Sequence, residues 1–339
     1  MNPAPLCSVC IANYNGEAML RECIDSVLAQ DDDIAVEIII HDDASTDASV
    51  ELLSRTYPQI GLLASKTNVG FCVANNRMVT QARGEFVLLL NNDAALMPGA
   101  IRALIDAARV RAEPAIFTLP QYDWRSGDLI DRGCLLDPFY NPVPNRDPAR
   151  AEVAMAIGAC MFLPRSLWDE LGGFPEWMES IGEDLYLCCL ARLRSYPVIA
   201  LNISGYRHRQ GVSFGGARVV DHRLFSTIRR RRLSERNKTS TLIICTPSPV
   251  MWLLLAMHLM LLLAEGAVVS LIRRDCRLWT QIYWSTVRGQ WRTRRRLHAL
   301  HQLAQLDRRI SRRAYFGTFT WVPHKLTLLV RHGIPRFTQ

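Results

Sequence analysis

Three clusters of polar side chains each follow directly on an apolar run. They are Asn13-Tyr14-Asn15 after residues 6–12, Asp42-Asp43 after residues 36–40, and Asn91-Asn92-Asp93 after residues 86–90. If the runs are parallel strands, the clusters share one rim, because ligands of open α/β sheets bind at the carboxyl ends of the strands. Three carboxylates, those of Asp42, Asp43 and Asp93, then converge there. No Gly-x-Gly-x-x-Gly follows the first run and the chain has no P-loop, which argues against a dinucleotide oxidoreductase or an NTPase. Carboxylates in place of a glycine-rich cradle point to a divalent ion, Mg2+ or Mn2+, as the group that holds phosphate oxygens.

The elements that would position these residues alternate through the first two hundred positions. Apolar runs at 6–12, 36–40, 60–64, 86–90, 115–119 and 156–163 read as strands. Between them lie helical patterns. Met19, Leu20, Cys23, Ile24, Val27 and Leu28 repeat at helical spacing, with Asn15 placed to cap them. Ser45 is placed to cap a helix running towards Arg55, and residues 71–82 carry a third helical pattern. Pro98 suits the first turn of a fourth. Residues 166–171 form a short helix ended by Gly172-Gly173, and residues 183–194 another. This rhythm predicts an α/β fold, a mostly parallel sheet with helices on both faces. Five prolines between 120 and 148 mark a loop-rich segment.

Charge divides the chain. Residues 1–205 hold 15 Lys and Arg against 27 Asp and Glu, a net of −12; residues 206–339 hold 25 against 5, a net of +20. With 49% hydrophobic and 21% charged residues, the composition excludes a disordered chain. The expected division is 1–225 and 226–339. The basic part should face something anionic. Ten cysteines are too few for a disulfide scaffold at 339 residues, and Cys7 and Cys10 would point to opposite faces of one strand. The N-terminus has no basic stretch ahead of its first apolar run, so a secretory signal is not expected.

In order along the first 215 residues, the segments VCIANYNG (9–16), IHDDASTD (40–47), NVGFCVANN (68–76), LLLNNDA (88–94), IGACMFLPR (157–165), GGFPE (172–176), GEDL (182–185) and HRQGVS (208–213) resemble the family 2 glycosyltransferases. The similarity is to the bacterial branch of rhamnosyl- and galactofuranosyl-transferases. It implies the GT-A fold and an inverting transfer from a nucleotide-diphosphate sugar of the dTDP-rhamnose or UDP-sugar type. The acceptor would be a growing glycan or a polyprenyl-linked glycan. Ala12, Asn13, Tyr14, Asn15, Asn68, Gly70, Asn76, Asn91 and Asn92 would line the nucleotide site, with Asp42 or Asp43 on the base. Asp93 would carry the metal contact alone, because Asn91 stands where the family keeps the first acid of its D-x-D motif, and His208 would complete the metal site. Glu183-Asp184 stands at the catalytic base, with Asp184 the preferred carboxylate. Pro175 replaces the usual acid after Phe174. Such a displacement needs a base for the acceptor proton and a metal to neutralise the leaving diphosphate. The plainer account of Glu183-Asp184 is an acidic first turn that suits the helix dipole.

The basic third holds a 24-residue apolar run, 249–272, among arginine clusters and interleaved tryptophans. A membrane surface is expected in preference to nucleic acid, at the cytoplasmic face of a bacterial inner membrane. The run is long enough to span ~30 Å of hydrocarbon. His258 and Glu265 oppose a span, since an acid near the centre costs roughly 2.5–3.5 kcal/mol. A span, an interfacial helix and a buried core helix all fit the pattern. Two other functions fit less of the chain: a sugar-nucleotide nucleotidyltransferase, which would need a Gly- and Arg-rich phosphate loop that residues 13–16 do not form, and a non-catalytic polyanion- or lipid-binding protein.

Overall fold

The computed structural model describes residues 4–31, 33–211, 218–220 and 223–338. They sort into two units that are not consecutive in sequence. The first comprises Met1–Cys134, Pro144–Ala191 and Tyr196–Ser213; the second comprises Leu135–Val143, Arg192–Ser195 and Phe214–Gln339.

In the first unit the chain runs β1 (Cys7–Asn13), α1 (Glu17–Leu28), β2 (Val36–Asp42), α2 (Ser49–Thr56), β3 (Gly61–Ala64), α3 (Phe71–Gln81), β4 (Phe86–Asn91), β5 (Ala94–Leu96), α4 (Ala100–Val110), β6 (Ile116–Thr118), β7 (Gln121–Asp123) and β8 (Leu129–Asp131). A small pair, β9 (Cys134–Leu136) and β10 (Pro142–Pro144), brackets the first segment that lies with the second unit. Then come β11 (Glu152–Val153), β12 (Cys160–Pro164), α5 (Arg165–Leu171), α6 (Glu183–Leu193), β13 (Val198–Ala200) and β14 (Tyr206–His208).

The main sheet has the order β11-β13-β6-β12-β4-β1-β2-β3. Strands β1 to β4 are mutually parallel, while β12 runs antiparallel to both β4 and β6. The apolar runs become strands because their side chains are buried on both faces: Phe86 to Leu90 all have at most 4% of their surface exposed. Helix α1 buries Leu20, Cys23, Ile24 and Val27, one stripe at helical spacing. Phe162 of β12 stacks on Phe86 at 5.1 Å and meets Phe117 edge-on at 6.2 Å, which ties the antiparallel insertion into the core. A second sheet, β5-β14-β7-β8, stands beside the first. Nine of the ten cysteines are buried and all are free thiols.

Both expected caps differ from the structure. Gly16, not Asn15, precedes α1, and Asn15 adopts φ +51°. Helix α2 begins at Ser49, and Ser45 turns back to Asp42 and Asn15 instead. In each case a long-range hydrogen bond outcompetes the local one. The strand expected at 156–163 is confined to Cys160–Pro164.

The second unit is built from β15 (Arg218–Val220), β16 (Arg223–Thr227), α7 (Ile228–Cys245), α8 (Val250–Arg273), α9 (Cys276–Leu278), a π-helical turn at Trp279–Trp284 that leads into α10 (Ser285–Leu306), α11 (Arg312–Tyr315), α12 (His324–His332) and β17 (Arg336–Thr338). Strands β15, β16 and β17 form a small sheet. Helix α7 is buried over a polar stretch, Glu235 and Asn237 to Thr241.

Candidate active site

Register assembles the rim. In the β1–β2 ladder Asn13 stands beside Asp42, and in the β1–β4 ladder Ala12 stands beside Asn91. Asn13, 1% exposed, binds these strand ends together. Its Nδ2 donates to Asp42 Oδ2 at 2.8 Å, and its Oδ1 accepts from Asn92 Nδ2 at 2.8 Å. Gly16 passes so close that a Cβ there would lie 2.2 Å from both Asn13 Oδ1 and Asn92 Nδ2, so any larger residue would push this hydrogen-bonded pair apart. Ser45 donates to Asp42 from its amide at 3.0 Å and from its hydroxyl at 2.7 Å. Asn15 spans to the same loop, accepting from Thr46 N at 2.7 Å. The Asp42 carboxylate is therefore occupied in joining the two strand ends. The Asp43 carboxylate accepts from Val69 N at 2.6 Å and Gly70 N at 2.9 Å, which anchors the loop carrying Asn68. Tyr14 is half exposed and Asn68 exposed, while Ala12 and Asn91 are intermediate.

Asn76 lies away from this knot. Its Oδ1 accepts from Phe174 N at 3.0 Å and its Nδ2 donates to Phe174 O at 2.9 Å, so it clamps the Gly172–Glu176 segment. Phe174 packs edge-on against Trp168 at 4.9 Å.

Asp93 follows β4 and His208 ends β14. The β5–β14 ladder pairs Ala94 with His208, so it delivers two residues far apart in sequence to one point. His208 Nε2 lies 3.1 Å from Asp93 Oδ1, and both are buried, at 8% and 3% exposed. A carboxylate oxygen and an imidazole nitrogen form a donor pair that Mg2+ or Mn2+ accepts. Among the described residues no group of three or more His, Cys, Asp or Glu closes on one point. Two protein donors fit an ion whose other positions are filled by substrate phosphate and water. Arg209 continues from this site. Its guanidinium lies 4.0 Å over the Trp124 ring and pairs with Glu22. The last two residues of the 208–213 motif, Val212 and Ser213, lie outside the described residues.

Glu183 and Asp184 open α6. The approach is strained: Glu179, Ile181 and Gly182 all have positive φ, +65°, +68° and +96°. For a β-branched residue such as Ile181 this is an outlier of the kind that collects at functional sites. Cys72 N holds Glu179 O at 3.1 Å and fixes the turn. Asp184 Oδ2 accepts from Gly158 N at 3.0 Å and Oδ1 from Leu185 N at 2.7 Å, so the carboxylate has one orientation. Glu183 is buried.

One buried acid belongs to none of the motifs. Asp131, 2% exposed at the end of β8, accepts from Gly133 N at 3.0 Å; burial pushes its carboxyl up to about 7, opposed by the His208 charge nearby. The buried Tyr206 hydroxyl, which donates to Gln121 Oε1 at 2.7 Å, is pushed up by burial and then by the charges of Asp131 and, more weakly, Asp184. His208 thus lies within electrostatic reach of Asp131 as well as beside Asp93, and Tyr206 feels both Asp131 and Asp184. No motif flags Asp131, because its neighbour is set by strand pairing across the second sheet.

Residues 8–172 match the model of Glycosyl transferase family 2. The chain is 28% identical over 182 residues to the N-acetylglucosaminyl-diphospho-decaprenol L-rhamnosyltransferase of Mycobacterium tuberculosis, covering 45% of this chain and 59% of that protein. It is 28% identical over 192 residues to the hyaluronan synthase of Pasteurella multocida, covering 55% of this chain and 19% of that one. The chain therefore spans about a fifth to three fifths of these two relatives. Among solved structures, GalNAc-T7 with UDP, GalNAc and Mn2+ aligns with a TM-score of 0.56 at 14% identity, over 73% of this chain and 49% of that one. TarS of S. aureus aligns at 0.51 and 15% identity, over 88% and 55%. These likenesses concern the fold, which is of the GT-A type, and the family match is confined to residues 8–172, just under half of the chain.

Proposed function

We propose that this protein is an inverting glycosyltransferase. It moves a sugar from a nucleotide-diphosphate donor, of the dTDP-rhamnose or UDP-sugar type, to a glycan or polyprenyl-linked acceptor during cell-surface polysaccharide synthesis. The observation that carries this reading is the Asp93–His208 pair, 3.1 Å apart and buried at the end of β4, in a family 2 domain. The rhamnosyltransferase relative, whose name specifies a decaprenol-linked acceptor, supports the lipid-linked choice.

In this mechanism the knot of Asn13, Asp42, Ser45 and Asn92 holds the strand ends on which the nucleotide rests. Asp43 fixes the 68–70 loop beside it. Asp93 and His208 would hold Mg2+ or Mn2+, which supplies the positive charge that offsets the leaving diphosphate. Asp184, held by the Gly158 and Leu185 amides, takes the acceptor hydroxyl's proton while the acceptor oxygen attacks the anomeric carbon from the face opposite the diphosphate. The basic second unit attaches the enzyme to the cytoplasmic face of the membrane, where a polyprenyl-linked acceptor resides.

The test is a donor screen. Purified protein is incubated with UDP-, dTDP- and GDP-sugars, and nucleotide release is followed with EDTA and with added Mg2+ or Mn2+. One donor class should be consumed, with activity lost in EDTA and restored by the ion. Asp93→Ala should weaken nucleotide binding only when the ion is present. Full activity in EDTA would overturn the metal role, and no turnover of any donor would overturn the enzyme reading.

A further inference from the structure

Helix α8 exposes an apolar face, and its buried side sets His258 among Met251, Leu254, Leu262 and Val269. Trp252, Leu253, Met260, Leu261, Leu271 and Ile272 are all more than half exposed. The opposite stripe carries His258 and Glu265. His258 Nε2 lies 2.8 Å from Thr239 Oγ1 of α7. Glu265 pairs with Lys325 of α12 at 2.6 Å and with Arg231 of α7, and accepts from Tyr283 OH at 3.1 Å. Glu235 of α7, fully buried, pairs with Lys238 and Lys325, both at 2.8 Å. A surface helix of a soluble protein turns polar residues to water, whereas α8 exposes an apolar face and keeps its polar links, His258 to α7 and Glu265 to α7 and α12, on the protein side.

Helix α8 also cannot act alone. A Cβ on Gly266 would lie 2.5 Å from the Tyr283 ring, and Trp252 stands 6.5 Å from the ring of His298. Positions 252 and 266 therefore face 298 and 283, so α10, which packs chiefly on α7, runs antiparallel to α8. Along that partner, Arg288, Arg292, Arg294, Arg295 and Arg296 are exposed. Were α8 to cross a bilayer in this arrangement, the five guanidinium groups would enter the hydrocarbon beside it. An arginine is strongly unfavourable at the bilayer centre and favourable against an anionic leaflet. Trp284, Trp291 and Trp321 are also exposed, the residue type that settles at the headgroup level.

We propose that the second unit is a monotopic membrane module: α8 lies in the plane of one anionic phospholipid leaflet, its apolar face inserted and the α10 arginines on the headgroups, and does not cross the bilayer. This rests on the membrane attachment proposed above and adds its geometry and lipid preference. It is independent of the sugar-transfer chemistry.

Full-length protein is floated with phosphatidylcholine vesicles, with and without phosphatidylglycerol. Its tryptophan fluorescence is then quenched with lipids brominated near the headgroup or near the chain end. Topology is read by an impermeant maleimide added outside. The exposed native Cys276 probes one end of the hairpin, and Leu306→Cys in a Cys276→Ser background probes the other. We expect flotation strengthened by phosphatidylglycerol, stronger quenching from the shallow position, and equal labelling of both ends before and after detergent. The triple variant Arg292→Gln, Arg295→Gln, Arg296→Gln should bind phosphatidylglycerol vesicles about 10²-fold more weakly, at ~1 kcal/mol per basic residue, with donor hydrolysis unchanged. One end labelled only after detergent, with deep quenching, would make α8 a span and overturn the in-plane geometry while attachment stands. Binding indifferent to phosphatidylglycerol would overturn the lipid preference. Failure to float in any vesicle, or a salt-stable dimer that leaves vesicles empty, would remove the membrane reading itself and leave the donor screen untouched.

Discussion

At the scale of single residues, Asp184 and Glu183 are adjacent but differ in setting. Asp184 is partly exposed and held by two amides, whereas Glu183 is buried. Asp184→Asn keeps the shape and removes the proton acceptor, so kcat should fall by about 10²-fold or more with donor affinity little changed. Isothermal titration with the nucleotide beside steady-state rates separates the two. A crippled Glu183→Gln beside an active Asp184→Asn would move the base one residue. Asp131 makes a pH prediction. Its folded carboxyl titrates at about 7 against 3.8 when unfolded. Between those values the folded state keeps a proton that the unfolded state has released, so stability falls as pH rises through that window. Asp131→Asn removes the effect. In chelator, so that no ion sits beside His208, the variant should melt several degrees above the parent at pH 8 and together with it below pH 4. A variant no more stable at pH 8 would mean that the carboxyl ionises in its pocket without cost. The sequence made Asp93, His208 and the Glu183-Asp184 pair legible through their motifs. Asp131 was not legible, because its burial and its neighbour depend on β8 pairing with β7.

At the scale of elements, the apolar runs of β1, β2, β3, β4 and β6 can be read directly, because each is short, continuous and flanked by turn residues. The helix caps cannot be read this way, since Asn15 and Ser45 have long-range partners that no local pattern contains. Helix α8 illustrates a different limit. Its residues are apolar nearly all round, so periodicity cannot say which side carries the protein, and His258 and Glu265 look like defects in a span. In the structure they are its attachment to α7 and α12. The magnitudes favour the in-plane arrangement. Five arginines at ~2.5–3.5 kcal/mol each would cost more than ~10 kcal/mol in hydrocarbon, against a gain of ~1 kcal/mol each at an anionic surface. Glu265→Gln tests the inward role. It leaves Arg231 and Lys325 with one fewer counter-charge and should destabilise the protein by on the order of 2 kcal/mol. That is less than the ~3–5 kcal/mol for a fully buried pair, because the Glu265 side chain keeps 25% of its surface exposed. Chemical denaturation in detergent measures it. A stabilised variant would mean that Glu265 faces lipid.

At the scale of the whole molecule, the chain crosses between its units more often than its composition reveals. The charge step near residue 206 marks where the basic part begins, but Leu135–Val143 and Arg192–Ser195 also lie with the second unit. Nothing in their sequence announces it. Their side chains are buried there: Asp137 and Tyr140 are fully buried, and Arg192 is 2% exposed. Tyr140 OH lies 2.8 Å from Thr246 Oγ1 and 3.0 Å from Tyr315 OH. Asp137 Oδ2 accepts from His324 N at 2.7 Å. The Arg192 guanidinium sits 4.8 Å over the Tyr315 ring and donates to Tyr315 O. A chain ended after Arg223 would strip every one of these partners away and leave a buried arginine, a tyrosine and an aspartate facing solvent or each other. Any of these groups that stays buried without a partner costs ~1–3 kcal/mol, and the truncation also exposes the apolar surface that Tyr140 and Arg192 bury, against the ~5–15 kcal/mol that holds a typical domain folded. Arg192 also lies in the last turn of α6, whose first turn presents Asp184, so loosening that end loosens the base. The truncated chain should therefore aggregate or melt far below the full-length protein, and what remains soluble should bind nucleotide weakly. Size-exclusion chromatography, thermal melting and nucleotide titration would check this. A truncated chain that is monodisperse and binds nucleotide as the full chain does would show that the first unit folds alone, with 135–143 and 192–195 as passengers on its surface.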